Sequence, residues 1–248
     1  MKTLIIFLRS YIYILFLIIT IIPCSIISLI TFPLPLNIRY KIITLWPKIA
    51  LLGLRFICNL QWKIKGIDRI PNQPLIIVSN HQSIWETLFL IAYFPQKICF
   101  IYKKELNYIP FFGWGLILLN MIAINRSDGF NAFKKIAEMG IKKLKNNYSI
   151  LIFPEGTRAP SGTIKKFKIG ASLLASNTRY NILPIAHNAG SFWKKDSFII
   201  QPGIIKLSIG DVILIDSLTP GEINTIIYKW IKTEFDKINC QQDHINLD

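Results

Sequence analysis

The first thirty residues of this chain are almost entirely apolar, and they restrict what the chain can fold into. Between residues 4 and 32 the only charge is Arg9, and the first acidic residue of the whole sequence is Asp68. About twenty apolar residues are enough to span a bilayer as a helix. The run therefore predicts a membrane-associated helix, although Pro23 interrupts it and the sequence Pro33-Leu34-Pro35 ends it.

A second segment, residues 40–59, has the pattern of an amphipathic helix. Its cations recur every seven residues, so in a helix they share one face, which we expect to lie opposite an apolar face. The cations are Lys41, Lys48 and Arg55, and the apolar set is Leu45, Ile49, Leu52 and Phe56. Such a helix suits a membrane interface, with its cations at the headgroups. Pro47 predicts a kink or a restart within it.

The charge balance is strongly basic, with 29 Lys and Arg against 14 Asp and Glu and a net charge of +15. An excess of this size favours an anionic partner, either nucleic acid or an anionic membrane surface. Hydrophobic residues make up 52% of the chain and its mean hydropathy is +0.40. Since no nucleic-acid-reading motif or exposed basic helix is recognisable, we predict a membrane partner and no nucleic acid.

The rest of the chain alternates short apolar strands with helices, which predicts an α/β fold. We expect a largely parallel sheet flanked by helices, preceded by the N-terminal apolar and amphipathic membrane-anchoring segment. The predicted strands are residues 74–78, 98–102, 121–125, 150–153, 182–186, 204–209 and 212–215, and the predicted helices include 130–146, 170–177 and 223–238. The predicted domains are a membrane-associated segment (1–60), an α/β domain (61–240) and a polar tail (241–248).

Five lysines crowd the helix predicted over residues 130–146. We interpret them as a solvated face of that helix. They are Lys134, Lys135, Lys142, Lys143 and Lys145.

Metal binding and disulfide formation are both disfavoured by the sequence. The three histidines lack close His or Cys partners, so they do not offer a metal-ligand spacing. We interpret His187 as a hydrogen-bonded buried polar group. The four cysteines are scattered, which favours reduced thiols facing the cytoplasm.

A histidine and a carboxylate follow the strand predicted at residues 74–78. His81 and Glu86 are five residues apart, and two helical residues at that spacing are rotated by about 140°, so they cannot meet if both are helical. We therefore place His81 in a loop and Glu86 in the first turn of the next helix. The carboxylate can then accept a hydrogen bond from one imidazole nitrogen and leave the other as a base. The alternative is a histidine that only satisfies a core polar group.

The second motif is Phe-Pro-Glu-Gly-Thr-Arg at residues 153–158, directly after another apolar strand. Its turn can aim backbone N–H groups at a ligand, and Arg158 offers a planar set of donors that matches phosphate oxygens. The strand before His81 should deliver its loop to the carboxyl edge of the sheet, where open α/β sheets bind ligands. The alternative is a structural turn in which Glu155 and Arg158 pair with each other or face solvent.

With two further segments, these motifs resemble the glycerolipid acyltransferase family typified by lysophosphatidic acid acyltransferases. That family has an Asn-His-x4-Asp block, a segment ending in Arg, a Phe-Pro-Glu-Gly-Thr-Arg block and an apolar block around a proline. Here they stand in order at residues 80–86, 109–126, 153–158 and 182–186. The resemblance covers about residues 60 to 215, with one departure: Glu86 replaces the usual Asp.

The resemblance implies transfer of a fatty acyl chain from acyl-CoA or acyl carrier protein, without a cofactor. The acceptor would be the sn-2 hydroxyl of 1-acyl-glycerol-3-phosphate, and the product phosphatidic acid. His81 would remove the hydroxyl proton and Glu86 would stabilise the imidazolium. No covalent acyl-enzyme is needed, and no cysteine lies in a matching motif. The implied substrate-binding residues are Lys103, Lys104, Arg126, Glu155, Gly156, Thr157 and Arg158.

Three interpretations of residues 1–60 are open. Lys2 and Arg9 flank an apolar stretch, as in a cleavable signal peptide, but the run is too long and no clear cleavage site follows. Its length alone allows a single membrane span. The resemblance implies a helical hairpin in one leaflet, and cations on both sides of the run agree with both ends staying cytoplasmic. We favour the hairpin.

Two alternatives to this function also remain. The acceptor could be another lysophospholipid or a lyso-amino-lipid, because the motifs report the reaction more than the head group. The chain could also be a non-catalytic lipid-binding relative, but His81, Glu86 and Arg158 are all intact, which favours an enzyme. We expect a bacterial enzyme at the cytoplasmic (inner) membrane, with its active site facing the cytoplasm.

Overall fold

The computed structural model describes residues 2–125 and 129–243. Its helices are α1 (Lys2–Ile30), α2 (Leu36–Ile43), α3 (Leu45–Ile57), α4 (Trp85–Tyr93), α5 (Phe112–Leu118), α6 (Gly129–Lys145), α7 (Gly170–Thr178) and α8 (Pro220–Asp243). Its strands are β1 (Leu60–Lys65), β2 (Ile76–Ser79), β3 (Lys97–Lys103), β4 (Ile122–Ile124), β5 (Tyr148–Ile152), β6 (Ile182–His187) and β7 (Gly203–Ile209).

The strands form one sheet in the order β1-β7-β6-β2-β5-β3-β4. Neighbouring strands are parallel except β6 and β7, which pair antiparallel. Parallel strands need crossover connections, usually helical, and such sheets are covered on both faces. The predicted α/β fold with a largely parallel sheet is therefore confirmed. The carboxyl ends of β2, β3, β4, β5 and β6 meet at one edge of the sheet.

The central strand β2 contributes side chains to two hydrophobic cores, one on each face of the sheet. Ile77 packs into the core beneath α3 and α4, whereas Ile76 and Val78 pack into the core beneath α7 and α8. Successive side chains of a strand point to opposite faces, so an uninterrupted apolar run is what a strand covered on both sides needs. The same requirement explains why β5 is apolar along most of its length.

Helices α1 and α3 contribute to the first of these cores. Tyr13 of α1 and Leu51 and Leu54 of α3 are completely buried in it. The hydroxyl of Tyr13 donates a hydrogen bond to the backbone oxygen of Ala50 at 3.1 Å, which ties the two helices together. The boundary predicted at residue 60 thus falls between segments that share one core.

Helix α1 lies along the rest of the protein over most of its length. Near its start, the rings of Phe7 and Phe198 meet edge to face with centroids 5.4 Å apart. Near its end, the hydroxyl of Ser25 donates to the backbone oxygen of Phe111 at 3.1 Å. Its other side exposes a continuous apolar surface. Among the described residues, α1 is the one helix long and apolar enough to cross a membrane by length and composition.

The segment at residues 40–59 differs in part from its prediction. It forms two helices that meet at Thr44, and Pro47 lies in the first turn of α3, so the predicted restart is confirmed. The cations do not lie opposite the exposed apolar stripe. In α3, Lys48 and Arg55 are exposed beside that stripe, and the opposite face packs into the core.

Two strand assignments also change. Residues 212–215 are not a strand, because only an isolated antiparallel bridge joins Ile213 to Ile182. Strand β1 was not predicted, although Leu60, Trp62 and Ile64 alternate with polar residues in the period of a strand. The helices predicted at 130–146, 170–177 and 223–238 are confirmed as α6, α7 and α8. Helix α8 extends to Asp243, and residues 244–248 lie outside the described range.

The lysines of α6 are not uniformly solvated. Lys135, Lys142 and Lys145 are exposed as predicted, but Lys143 is buried, with 7% of its surface accessible. The prediction was wrong for Lys143 because its side chain lies over the ring of Tyr148 at the start of β5. The side chain of Lys134 lies outside the described part of the chain.

The shared core predicts that α3 stabilises the α/β domain. Leu54→Ala should lower the free energy of unfolding by about 2–5 kcal/mol, because it leaves a cavity in a fully packed region. Leu52→Ala is the matched control, since Leu52 is 45% exposed on the same helix and should change stability by less than about 0.5 kcal/mol. Chemical unfolding in detergent measures both, and equal losses would contradict the shared core.

Candidate active site

The loop after β2 is fastened to the end of β6 by Asn80 and His187. The Asn80 amide donates to the backbone oxygen of His187 at 2.9 Å and accepts from its backbone N–H at 3.0 Å. The ring Nε2 of His187 lies 2.9 Å from the Asn80 backbone oxygen, and Nδ1 accepts from the N–H of Ala189. Burial lowers the pKa of His187. The interpretation of His187 as a satisfied polar group is confirmed.

His81 and Glu86 meet as their spacing predicts, one in the loop and the other in the first turn of α4. Nδ1 of His81 lies 2.8 Å from Oε1 of Glu86. The same oxygen accepts the backbone N–H groups of Gln82 and Ser83, each at 2.8 Å. In the neutral imidazole whose Nδ1–H donates to this carboxylate, Nε2 is the unprotonated nitrogen and can act as a base. Nε2 makes no hydrogen bond to a described residue.

The Glu86 carboxyl is completely buried, yet its pKa lies below its ordinary value. Burial acts to raise its pKa, but nearby His187, the hydrogen bond from His81 and the backbone N–H of Ser83 outweigh that effect and lower it. Its second oxygen, Oε2, is buried without a hydrogen-bond partner in the described residues. The hydrogen bonds that this carboxylate makes within the described part of the chain therefore all go to the oxygen that orients the imidazole.

The second motif supports the loop that carries His81. Phe153 stacks on the imidazole, with ring centroids 4.0 Å apart and planes 13° from parallel. Oε1 of Glu155 accepts the backbone N–H of His81 at 2.8 Å, and Oε2 accepts that of Lys165 at 3.0 Å. The N–H of Ala159 donates to the His81 backbone oxygen at 2.7 Å. The second motif and the residue after it thus hold the backbone of His81 on both its N–H and its carbonyl oxygen.

Glu155 therefore supports the loop that carries His81, a role that its sequence context did not suggest. Its carboxyl is buried, and burial raises its pKa despite the two N–H donors. It does not pair with Arg158, so the alternative in which these two side chains pair with each other does not hold. That Glu155 contacts substrate stays a prediction.

Arg158 lies near the protein surface beside an aspartate that sequence reasoning missed. One terminal nitrogen of Arg158 is 3.6 Å from Oδ1 of Asp196, which is 70% exposed and also pairs with Lys195. An exposed pair at this distance contributes little free energy, so a stronger anion can displace it. No motif marks Asp196, because its chain segment approaches Arg158 only through the fold.

The other predicted substrate-binding residues lie in different environments. Gly156 has φ +73°, a left-handed conformation that favours glycine, and Thr157 is exposed. Lys103 ends β3, next to β5, and pairs with Glu105 at 3.2 Å. Lys104 is exposed. Arg126 follows β4 but lies outside the described residues, so its role stays a prediction.

An apolar cleft opens beside α4, close to the His81 loop, and was not foreseen from the sequence. It is lined by side chains of α1, α2, α3, α4, β3 and α5 and of residues adjoining these helices, among them Cys24, Trp46, Ile84, Leu88, Phe111 and Leu116. Since these side chains come from segments that are separate in sequence, no local pattern identifies the cleft. In the described chain no group of three His, Cys, Asp or Glu could hold a metal ion.

Comparison with known proteins shows to which family this fold and sequence belong. Residues 61–188 match the sequence model of the Acyltransferase family, which is more than half of the chain. The chain therefore belongs to the acyltransferase family.

Individual relatives are more specific. A 1-acyl-sn-glycerol-3-phosphate acyltransferase of Pseudomonas aeruginosa is 38% identical over 217 residues, covering 86% of this chain and 84% of that protein. The human 1-acyl-sn-glycerol-3-phosphate acyltransferase beta is 27% identical over 177 residues, covering 71% of this chain and 64% of that protein. This chain is thus an acyltransferase with relatives of that name.

A solved structure agrees with the fold. The crystal structure of the 1-acyl-sn-glycerophosphate (LPA) acyltransferase PlsC from Thermotoga maritima superposes with a TM-score of 0.80. The match covers 96% of this chain and 98% of that one. At 22% sequence identity, this similarity establishes the fold alone.

Proposed function

We propose that this enzyme transfers a fatty acyl chain from a thioester to the sn-2 hydroxyl of 1-acyl-glycerol-3-phosphate, giving phosphatidic acid. The observation that carries the proposal is the 2.8 Å contact between Nδ1 of His81 and Glu86, which leaves Nε2 free as a base. Nε2 takes the hydroxyl proton while the oxygen attacks the thioester carbonyl. The C–S bond then breaks and the thiolate leaves, while the proton stays on the imidazolium.

The position of Arg158 supports a phosphorylated acceptor. It follows β5, the neighbour of the strand that precedes His81, so both groups lie at the same edge of the sheet. Its present partner, Asp196, is exposed and 3.6 Å away, and a phosphate dianion is a better partner for a guanidinium. The names of the relatives agree with this acceptor.

The apolar cleft suits an acyl chain. Ile84 and Thr87 of its lining flank Glu86 in sequence, so the cleft begins close to the base. A chain bound there buries its methylenes against the walls while the reacting end stays near His81. The donor's carrier, coenzyme A or acyl carrier protein, remains outside the cleft in this arrangement.

The arrangement of α1 supports attachment to one leaflet, and we propose that the active site faces the cytoplasm. Phe7 and Ser25, near the two ends of α1, both contact the α/β domain. A helix crossing the whole bilayer would carry one of those ends away from a domain that stays on one side. The exposed apolar side of α1 is therefore proposed to lie in the acyl region of the inner leaflet.

A test of the acceptor uses Arg158→Ala. The variant should lose about thirtyfold in kcat/KM for 1-acyl-glycerol-3-phosphate, corresponding to about 2 kcal/mol for a lost charge-assisted contact. The KM for the acyl donor should stay nearly unchanged. Steady-state rates, with phosphatidic acid quantified by mass spectrometry, measure both effects.

Two comparisons make this test specific. Arg179→Ala removes an exposed arginine next to the amino end of β6, at the opposite edge of the sheet, and should behave like the parent. A 1-acyl-glycerol lacking phosphate should be a poor acceptor for the parent and no poorer for Arg158→Ala. If the parent made no phosphatidic acid from acyl-CoA or acyl carrier protein, or preferred another lyso-lipid, the proposed acceptor would be wrong.

A further inference from the structure

A second cavity, with a volume of about 580 Å³, has a strongly basic lining. It lies between the start of α2, the start of β3 and the end of α6. The described residues that line it include Lys97, Lys142, Lys143 and Lys145, together with asparagines and no aspartate or glutamate. A concave surface with one sign of charge attracts ions of the opposite sign. The cavity is therefore suited to an anion.

Lys143 is the feature of this cavity that most requires explanation. It is buried, and no carboxylate of the described chain lies within 4.0 Å of it. Its ammonium lies 4.9 Å from the centre of the Tyr148 ring, and the ammonium of Lys97 lies 4.8 Å from the same centre. Burying a cation without an anionic partner costs free energy unless an anion binds there.

Two more polar groups nearby lack partners. The hydroxyl of Tyr148 and Nε of Arg39 are both buried without a hydrogen bond in the described residues. Arg39 is close enough to Tyr148 to affect its ionisation. Neither residue lines the cavity itself, but buried polar groups are normally satisfied, and the ring of Tyr148 lies against Lys97 and Lys143. Its hydroxyl is therefore an unsatisfied polar group adjoining the cavity.

The cavity is separate from the candidate active site. Lys97 begins β3 and Lys103 ends it, and six residues at about 3.3 Å each place these ends about 20 Å apart. His81 and Arg158 lie at the edge where β3 ends. The cavity lies at the other edge, so the acceptor phosphate at Arg158 cannot account for its charge.

We propose that this cavity binds the phosphate of an anionic phospholipid headgroup. Leu36 of the cavity wall lies six residues after Ile30, which ends α1; Ile30 and Phe32 of the following turn expose 72% and 65% of their surface. Those side chains suit the acyl region, which places the cavity at the level of the headgroups. The choice of a lipid over a free phosphate rests on the membrane attachment proposed above, whereas anion binding rests on the cavity alone.

The test measures thermal stability of the full-length protein in neutral detergent micelles. Micelles containing phosphatidylglycerol, compared with phosphatidylcholine, should raise Tm by about 4 °C or more, because a ligand of the folded state stabilises it. Lys143→Met and Lys97→Gln should each lose most of that rise. Lys135→Gln removes the same charge from an exposed position of α6 outside the cavity, and should keep it.

Further measurements distinguish a lipid headgroup from free phosphate as the ligand. Inorganic phosphate that gives the full rise, with no further effect of phosphatidylglycerol, would overturn the lipid assignment and leave a soluble anion as ligand. An equal loss in Lys135→Gln, or no rise in the parent, would overturn the site. Without any anion, Lys143→Met should be at least as stable as the parent, which shows that it folds. No arm uses acyl transfer, so the proposed reaction can fail without affecting this result.

Discussion

His81→Ala is expected to lower the rate of acyl transfer by about a thousandfold, within the 10²–10⁴ range of general acid–base catalysis. The imidazole is the group whose free nitrogen can take the hydroxyl proton, and Glu86 holds it in the required tautomer. The KM values should change little, because the ring is not proposed to bind either substrate. Initial rates with both substrates varied measure the loss.

Two controls separate chemistry from folding in this variant. Circular dichroism and Tm should match the parent, because the His81 loop is held by its backbone contacts to Glu155 and Ala159, which the substitution leaves in place. Added imidazole should restore part of the rate by entering the space beside Phe153. A folded variant that transfers acyl chains at the parent rate would refute the assignment of the base.

Glu86→Gln is expected to reduce kcat by at least about a hundredfold, since a neutral amide does not stabilise the imidazolium formed in the transition state. The amide oxygen can still accept the N–H groups of Gln82 and Ser83, so the loop should keep its shape. The loss should therefore appear in kcat more than in KM. Nearly unchanged kcat would show that the carboxylate is structural.

Acid unfolding gives an independent measurement on the same variant. The pKa of Glu86 is lower in the folded protein, so its ionised form contributes stability above the pKa of the unfolded chain. That contribution is lost as the pH falls through the lowered folded value. Glu86→Gln lacks the titrating group, so its free energy of unfolding should depend less on pH in that acid range than the parent's does.

Much of the fold could be predicted because the strands concerned are short, apolar and buried on both faces. β2 and β5 have such runs, and the loops that follow them carry the two motifs. Residues 212–215 have the same composition but form only one bridge, since a strand also needs a partner along its length. β1 was missed because its alternating pattern follows directly after the amphipathic segment. The local sequence pattern therefore predicts the candidate strands, and hydrogen-bonded pairing with a neighbouring strand determines which of them form.

The candidate site was predictable where its contacts are local. His81 and Glu86 are joined by one loop and one helical turn, so their spacing is enough to bring them together. The position of Glu155 and the approach of Asp196 depend on segments far apart in sequence. Such contacts follow from the sheet order, which no single motif encodes.

The double role of α1 has a consequence for how the enzyme meets its substrates. One side of the helix completes the hydrophobic core and the other is an exposed apolar surface. Helix α1 is therefore an integral part of the folded domain. Proteolytic removal of α1 would expose the core instead of releasing a soluble enzyme. With α1 attached to the membrane as proposed, catalysis would be confined to two dimensions, and its rate should follow the mole fraction of acceptor within the surface, falling when inert lipid dilutes that surface at constant bulk concentration.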